Sequence, residues 1–352
     1  MTFDSILRGG TVVFPEGPER RADIAVAGTG IDVAGKHVFP GCIDAHLHFG
    51  FAEPITEYRT ETASAAIGGL TTILSYFLSS GPYGELFEPA LAQCAARAHV
   101  DFAFHFTTCV DAHIDELPSC VAEHGVTSFK YFMNFKGEEG RYMGLAGTDD
   151  GFLYDLMAKA ATLPGAVLVC HPENIELFSR YRNRFIAAGR NTLRDWSLAK
   201  PAFTEWENMV RAMVFAEHHG ATLYVPHVSC ARGVAEANRF RERYGRIHIE
   251  TCPHYLTHTM ESELGILAKA NPPLRTAEDV EALWRYLADG SIDVVGADHV
   301  PRQRATKEKP LWQAAQGFPG SATILPVLLW EGHHKRGLPL RRIAQLVAKR
   351  PA

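Results

Sequence analysis

"GCIDAHLHFG", residues 41–50, decides how the chain is read. The run Cys42–His48 is short and apolar, and strand periodicity puts Asp44, His46 and His48 on one of its faces. Working outward, runs of the same kind recur: "TTILSYF" (71–77), "DFAFHFT" (101–107), "VTSFKYF" (126–132), "AVLVCH" (166–171), "ATLYVPH" (221–227), "RIHIETC" (246–252) and "IDVVGAD" (292–298). Amphipathic stretches lie between them, among them "DDGFLYDLMAKAAT" from Asp149, "TEWENMVRAMVFAEHH" from Thr204 and "TAEDVEALWRYLADG" from Thr276. The last carries its own boundaries, a Thr276/Asp279 capping pair and Gly290. Eight strands alternating with helices predict an α/β fold, a (β/α)8 TIM-type barrel over residues 41–352. Residues 1–40 differ: "SILRGGTVVF" and "ADIAVAG" are strand-like, "PEGPERR" splits them, and no helical pattern intervenes. They predict a small N-terminal β subdomain.

Composition narrows the function classes. The 352 residues contain 46% hydrophobic and 21% charged side chains, enough apolar material for a sizeable core. A net charge of -5 leaves no basic excess for a phosphate backbone, so nucleic acid is not an expected partner. No apolar run reaches the roughly 20 residues of a membrane span, and "MTFDSILRGG" lacks the layout of a signal peptide. The seven cysteines are an odd number without a CxxC pair, which fits reduced thiols and a cytoplasmic location. Cys170, Cys230 and Cys252 fall in or just after apolar runs and are expected to be buried structural thiols.

In a barrel of this type the chemistry sits at the C-terminal ends of the strands. There the sequence places His46 and His48 (strand 1), Lys130 (strand 4), His171 (strand 5), His227 (strand 6) and Asp298 (strand 8). Two imidazoles on one strand face can grip one ion. A single histidine at a strand end is more often a hydrogen-bonded core residue, which is the expectation for His105, His248, His254 and His299. His218, His219, His333 and His334 are expected on exposed helix ends. Lys130, between Phe129 and Tyr131, is costly to bury as an ammonium. It must pair with an acid such as Asp298, lose its proton, or take up carbon dioxide to become a carbamate, a carboxylate equivalent able to bridge two cations.

The motifs "GCIDAHLH", "TSFKYFM", "VCHPEN", "YVPHVSC", "ETCPHYL", "NPPLR" and "GADHVP" occur in an order that resembles the cyclic amidohydrolases: dihydropyrimidinase, hydantoinase, allantoinase and dihydroorotase. The resemblance runs from about residue 5 to the end of the chain. It implies a metal-dependent hydrolase with two divalent ions, expected to be zinc. His46, His48 and Asp298 would hold one, His171 and His227 the other, and carboxylated Lys130 would bridge them. It further implies Asp298 as the catalytic base, Asn271 as a substrate contact, a small cyclic amide as substrate and a homo-oligomeric assembly.

Within the family the hydantoin or dihydropyrimidine ring is the leading expectation, drawn from "SFKYFM", "TDDGFLYDLM" and "VCHPENIE". "ETCPHYLT" and "NPPLR" favour allantoinase or dihydroorotase as the alternative. Gly50 stands where dihydroorotase has its carboxylate-binding arginine, which disfavours that specialist, and Arg59 falls on the following helix. Phe135 replaces the tyrosine that steadies the oxyanion in hydantoinases; it is assigned to substrate binding, with Tyr131 or Tyr142 as replacement donors and "NFKGEEGRYMGLAG" (134–147) as pocket loop. Against the resembled family the small β subdomain reads as incomplete: its C-terminal half is missing and its N-terminal half is shortened. Two rival classes remain, a catalytically weak scaffold of the same fold and a binuclear barrel hydrolase acting on another bond, such as a phosphotriester or lactone.

Overall fold

The computed structural model describes all residues except 1–3, 51–53, 137–139, 142–143 and 146. Two sheets organise it. Near the N-terminus β1 (Asp4–Val12) pairs antiparallel with β2 (Arg20–Asp32), and β3 (His37–Val38), too short for the sequence pattern to register, lies parallel to β1.

The second sheet has eight strands in sequential order: β4 (Cys42–Leu47), β5 (Leu70–Phe77), β6 (Asp101–Thr107), β7 (Ser128–Phe132), β8 (Val167–His171), β9 (Thr222–Val225), β10 (Ile247–Thr251) and β11 (Val294–Val295). Every neighbouring pair is parallel. The first and last strands meet where Leu47 bridges His299 and the His48 amide donates to the His299 carbonyl at 2.8 Å, so the sheet curls into a nearly closed barrel. The predicted barrel is therefore present, strand for strand.

Helices pack outside. The stretch from Asp149 becomes Asp150–Ala161, with the Asp149 side chain accepting from the Phe152 amide; that from Thr204 becomes Phe203–His219. The helix Ala277–Asp289 starts on Thr276, whose hydroxyl accepts from the Asp279 amide, and stops at Gly290 with φ +95°, a backbone angle that favours glycine. Strand alternation divides β7: Phe129 and Tyr131 join the hydrophobic core, where the Tyr131 ring stacks on Phe152 of the next helix, and Lys130 takes the other face. All seven cysteines are free and buried.

Two strands stop earlier than their apolar runs, and the same backbone feature lies beyond each. His227 (φ +46°) and Asp298 (φ +48°) are the non-glycine residues with left-handed backbone among the described residues, and they lie two and three residues past the ends of β9 and β11. Each such residue costs on the order of 1 kcal/mol, and such strain collects where function requires it.

Candidate metal centre

Both strained residues belong to the six-residue set read from the sequence. At the C-terminal mouth of the barrel, His46 Nε2 and His48 Nε2 each lie 3.2 Å from the same oxygen of Asp298, Oδ1. The ligand atoms of these three buried residues fall within 4.8 Å of one another, a spacing that suits one cation. Charge binds the trio. Burial disfavours the Asp298 carboxylate, but His46 and His48 outweigh it and hold its pKa well below the usual carboxylate range. Burial also disfavours charging His46, yet Glu250 and then Asp298 reverse that and lift its pKa to about 9. At His48 burial wins, and the pKa falls to about 4.

The other three residues face them. His171 and His227 have ring centroids 4.4 Å apart, and His227 lies 5.2 Å from His46. Glu173 Oε2 sits 2.7 Å from His171 Nε2, leaving Nδ1 as that ring's unpaired nitrogen. Both ring nitrogens of His227 are buried without a hydrogen-bond partner, and burial pushes its pKa well below the usual value. Lys130 Nζ is likewise buried and unpartnered, 4.5 Å from the Tyr76 ring centre and 5.0 Å from that of Phe132, and burial lowers its pKa to about 8. No carboxylate lies within ion-pair distance of Lys130 among the described residues, so the salt-bridge alternative is not realised.

Behind these groups stand residues that carry no role in the sequence analysis. Glu250, fully buried on β10, has Oε1 2.6 Å from His46 Nδ1 and accepts the His227 backbone amide at 3.1 Å; Oε2 accepts the Tyr224 hydroxyl at 2.6 Å. One carboxylate thus fixes a ring in one half of the centre and the strained backbone of the other. Gly296 makes room for it, since a Cβ there would overlap the Glu250 carboxylate. Asp44 clamps the barrel seam: Oδ1 accepts the amides of His46 (3.1 Å) and Ala297 (3.0 Å), and Oδ2 accepts the Ser321 hydroxyl (3.1 Å). Glu173 was visible as the acid beside His171 inside "VCHPEN", a usable signal because ligand imidazoles commonly donate their second N–H to a carboxylate; Glu250 carries no such local signal, since its partner His46 lies in another motif.

A small cavity of about 80 Å³ opens over the centre, bordered by His48, His171, Asp298, Asn271, Phe135 and Asn134 among others. Asn271 and Phe135 therefore stand where the sequence put them, at the mouth; Asn271 Oδ1 accepts from Lys200 Nζ, which also pairs with Glu173 Oε2 at 3.1 Å. Tyr131 does not reach the cavity. Its hydroxyl donates to the Asp149 carbonyl at 2.8 Å and accepts from Thr148, because it occupies the β7 face opposite Lys130. Tyr142 lies outside the described residues. Asn134, the first residue of the expected pocket loop, is 2% exposed, with its side-chain oxygen unpartnered beside the cavity. Arg59 sits exposed on the helix Pro54–Ile67.

The histidines assigned bland roles mostly keep them. His105 stacks on Tyr76 and its Nε2 lies 2.9 Å from the Ala45 carbonyl oxygen; His299 Nδ1 lies 2.9 Å from Ser321 Oγ. His254 differs: it stacks on Phe318 with neither ring nitrogen bonded. His218 and His219 end a helix on the outer surface.

No family model matches the chain. Curated relatives do. It is 38% identical to an allantoinase of Rubrobacter xylanophilus, covering 98% of this chain and 79% of that protein, and 36% identical to an allantoinase of Deinococcus radiodurans, covering 100% and 82%. The chain is a cyclic amidohydrolase of the metal-dependent amidohydrolase superfamily. Solved structures agree: the L-hydantoinase (dihydropyrimidinase) of Arthrobacter aurescens superposes with a TM-score of 0.91 at 29% identity, covering 100% of this chain and 82% of that one. The dihydropyrimidinase of Brevibacillus agri superposes with a TM-score of 0.88 at 28% identity, covering 99% and 80%. The amidohydrolase thus belongs among hydrolases that cleave cyclic amide C–N bonds. Among the described residues no helix is long and apolar enough to cross a membrane.

Proposed function

We propose that this amidohydrolase opens a hydantoin or dihydropyrimidine ring, using two zinc ions held by His46, His48, Lys130, His171, His227 and Asp298. The observation that carries the reading is the set of buried, unpartnered ligand atoms at one mouth: Lys130 Nζ and both His227 ring nitrogens, facing the His46–His48–Asp298 trio. Unsatisfied buried polar groups are expensive, and a pair of cations would satisfy them together. Lys130, unpaired and with a lowered pKa, is suited to become the bridging carbamate. When bound, such ions supply a water acidified towards neutrality and polarise the carbonyl under attack.

The protein's own groups do the rest. The Asp298 carboxylate, through the oxygen that does not hold the ion, would take the proton of the attacking water and return it to the departing ring nitrogen, which would otherwise leave as an amide anion. Glu250 and Glu173 hold His46 and His171 in one tautomer and orientation. Asn271 contacts the ring amide, the Asn134 amide offers the carbonyl oxygen a hydrogen bond in place of the family's tyrosine, and Phe135 packs against the ring face. The chain itself reads as a small β subdomain over residues 1–40 followed by the barrel over 41–352. Seven buried, free thiols support a reducing, cytoplasmic setting; homo-oligomer formation rests on the family alone.

The allantoinase relatives, at 38% and 36% identity, favour allantoin as the second reading. Ring opening by zinc- and bicarbonate-loaded protein across hydantoin, 5-phenylhydantoin, dihydrouracil, allantoin and dihydroorotate separates the two. Turnover of hydantoins or dihydrouracil supports the first; turnover of allantoin alone replaces it with the second; no ring opened, with metal bound, defeats both.

A further inference from the structure

Beyond the small cavity lies a larger one of about 640 Å³, and the two share Asn134, Phe135, Asn271, Arg302 and Gln316 as a common border. Its lining includes Arg182, Lys200, Lys269, Arg302 and Lys309 and, among the described residues, no aspartate or glutamate. That is an unusual concentration of positive charge in a chain of net charge -5. Glu173 balances Lys200 from behind. Among the described residues the side-chain hydrogen bonds of Lys269 and Arg302 run to carbonyl oxygens: Lys269 Nζ donates to Leu311 (2.8 Å) and Ala314 (2.7 Å), and Arg302 Nε donates to Gln316 (3.2 Å). Carbonyls orient a cation without cancelling its charge. No acid lies within ion-pair distance of Lys269, Arg302 or Lys309 among the described residues, and burial, with Lys200 and Lys307 nearby, lowers the Lys269 pKa to about 7. The inner wall is built rather than incidental: Lys269 is 3% exposed and its Nζ sits 4.2 Å from the ring centre of the equally buried Trp196.

We infer that this outer cavity is an anion subsite, selecting cyclic amides whose ring carries a side chain ending in a carboxylate, with Arg302 at the threshold and Lys269 and Lys309 farther out. The inference rests on the ring-opening reading and names the substrate class of that site. Arg302 is the key member. It borders both cavities, only its Nε is hydrogen-bonded among the described residues, and a guanidinium meets a carboxylate in two parallel hydrogen bonds. Neighbouring cations and low-dielectric aromatic walls concentrate the attraction and make it sensitive to salt.

The test compares hydantoin-5-propionate with hydantoin-5-propionamide, which differ in charge and little in size. The acid is expected to show kcat/KM about 10- to 100-fold above the amide, a ratio that falls with added salt and collapses about 10-fold in Arg302→Gln and less in Lys309→Gln, both at exposed positions. Equal turnover of acid and amide, or a ratio unmoved by salt and by Arg302→Gln, overturns the subsite. Equal turnover together with strong inhibition by the ring-opened product also overturns it, and assigns the cavity to product exit. If neither compound is opened, the ring-opening reading has failed; calorimetric binding of the two compounds to the metal-loaded protein still reads the subsite, which stands if the acid binds tighter and falls if it does not.

Discussion

The two halves of the centre are satisfied in opposite ways. In the first half the raised His46 and the Asp298 carboxylate offset each other's charge: an Asp298 oxygen sits 3.2 Å from the Nε2 atoms of His46 and His48, and Glu250 backs the first ring. Lys130 and His227 have no such partners, and their polar atoms are buried with nothing to bond. The first half can persist as an ion-pair cluster. The second is stable only if the barrel tolerates the cost of unsatisfied groups, each on the order of 1–3 kcal/mol, or if a ligand repays it. The difference locates where the fold depends on something added.

The comparison can be broken, starting with the largest effect. Asp298→Asn removes the proposed base and a ligand of the first half; ring-opening rates are expected to fall about 10²- to 10⁴-fold, measured as kcat at saturating substrate. A variant with near-normal kcat would remove Asp298 from the mechanism. Asn134→Ala deletes the amide beside Phe135, with an expected loss of about 10²-fold in kcat and little change in KM, the pattern of a contact made in the transition state. Loss confined to KM would reduce Asn134 to ground-state binding.

Glu250→Gln keeps the shape and removes the charge that joins the halves. Metal affinity is expected to drop about 10- to 100-fold at both ions, read by competition with a chromophoric chelator. Loss at one ion alone would show that Glu250 serves only His46. Thr276→Ala, far from the centre, sets the baseline: about 1 kcal/mol of stability lost in chemical denaturation, with metal content unchanged.

Much of this was legible in the sequence because it follows local periodicity. Period two put His46 and His48 on one face and Lys130 opposite Phe129 and Tyr131, and the strand ends collected the six ligand-type residues. The helix Ala277–Asp289 was readable at both ends because Thr276 and Gly290 are local signals. What escaped was set by partners distant in the chain. Glu250 meets His46 across 204 positions, and Asp44 meets Ala297 and Ser321 across 253 and 277. Tyr131 cannot be the oxyanion donor because strand periodicity points it outward, to Asp149. The cationic outer cavity draws on segments from Asn134 to Gln316, and no window of sequence contains it.

The most direct test of the account is the zinc content per chain of wild-type and Lys130→Ala protein, each loaded with zinc and bicarbonate and measured by plasma emission. Two ions in the wild type, falling to one or none in Lys130→Ala, is the predicted result. A wild type that takes up no zinc, or a single ion unaffected by Lys130→Ala, would contradict it.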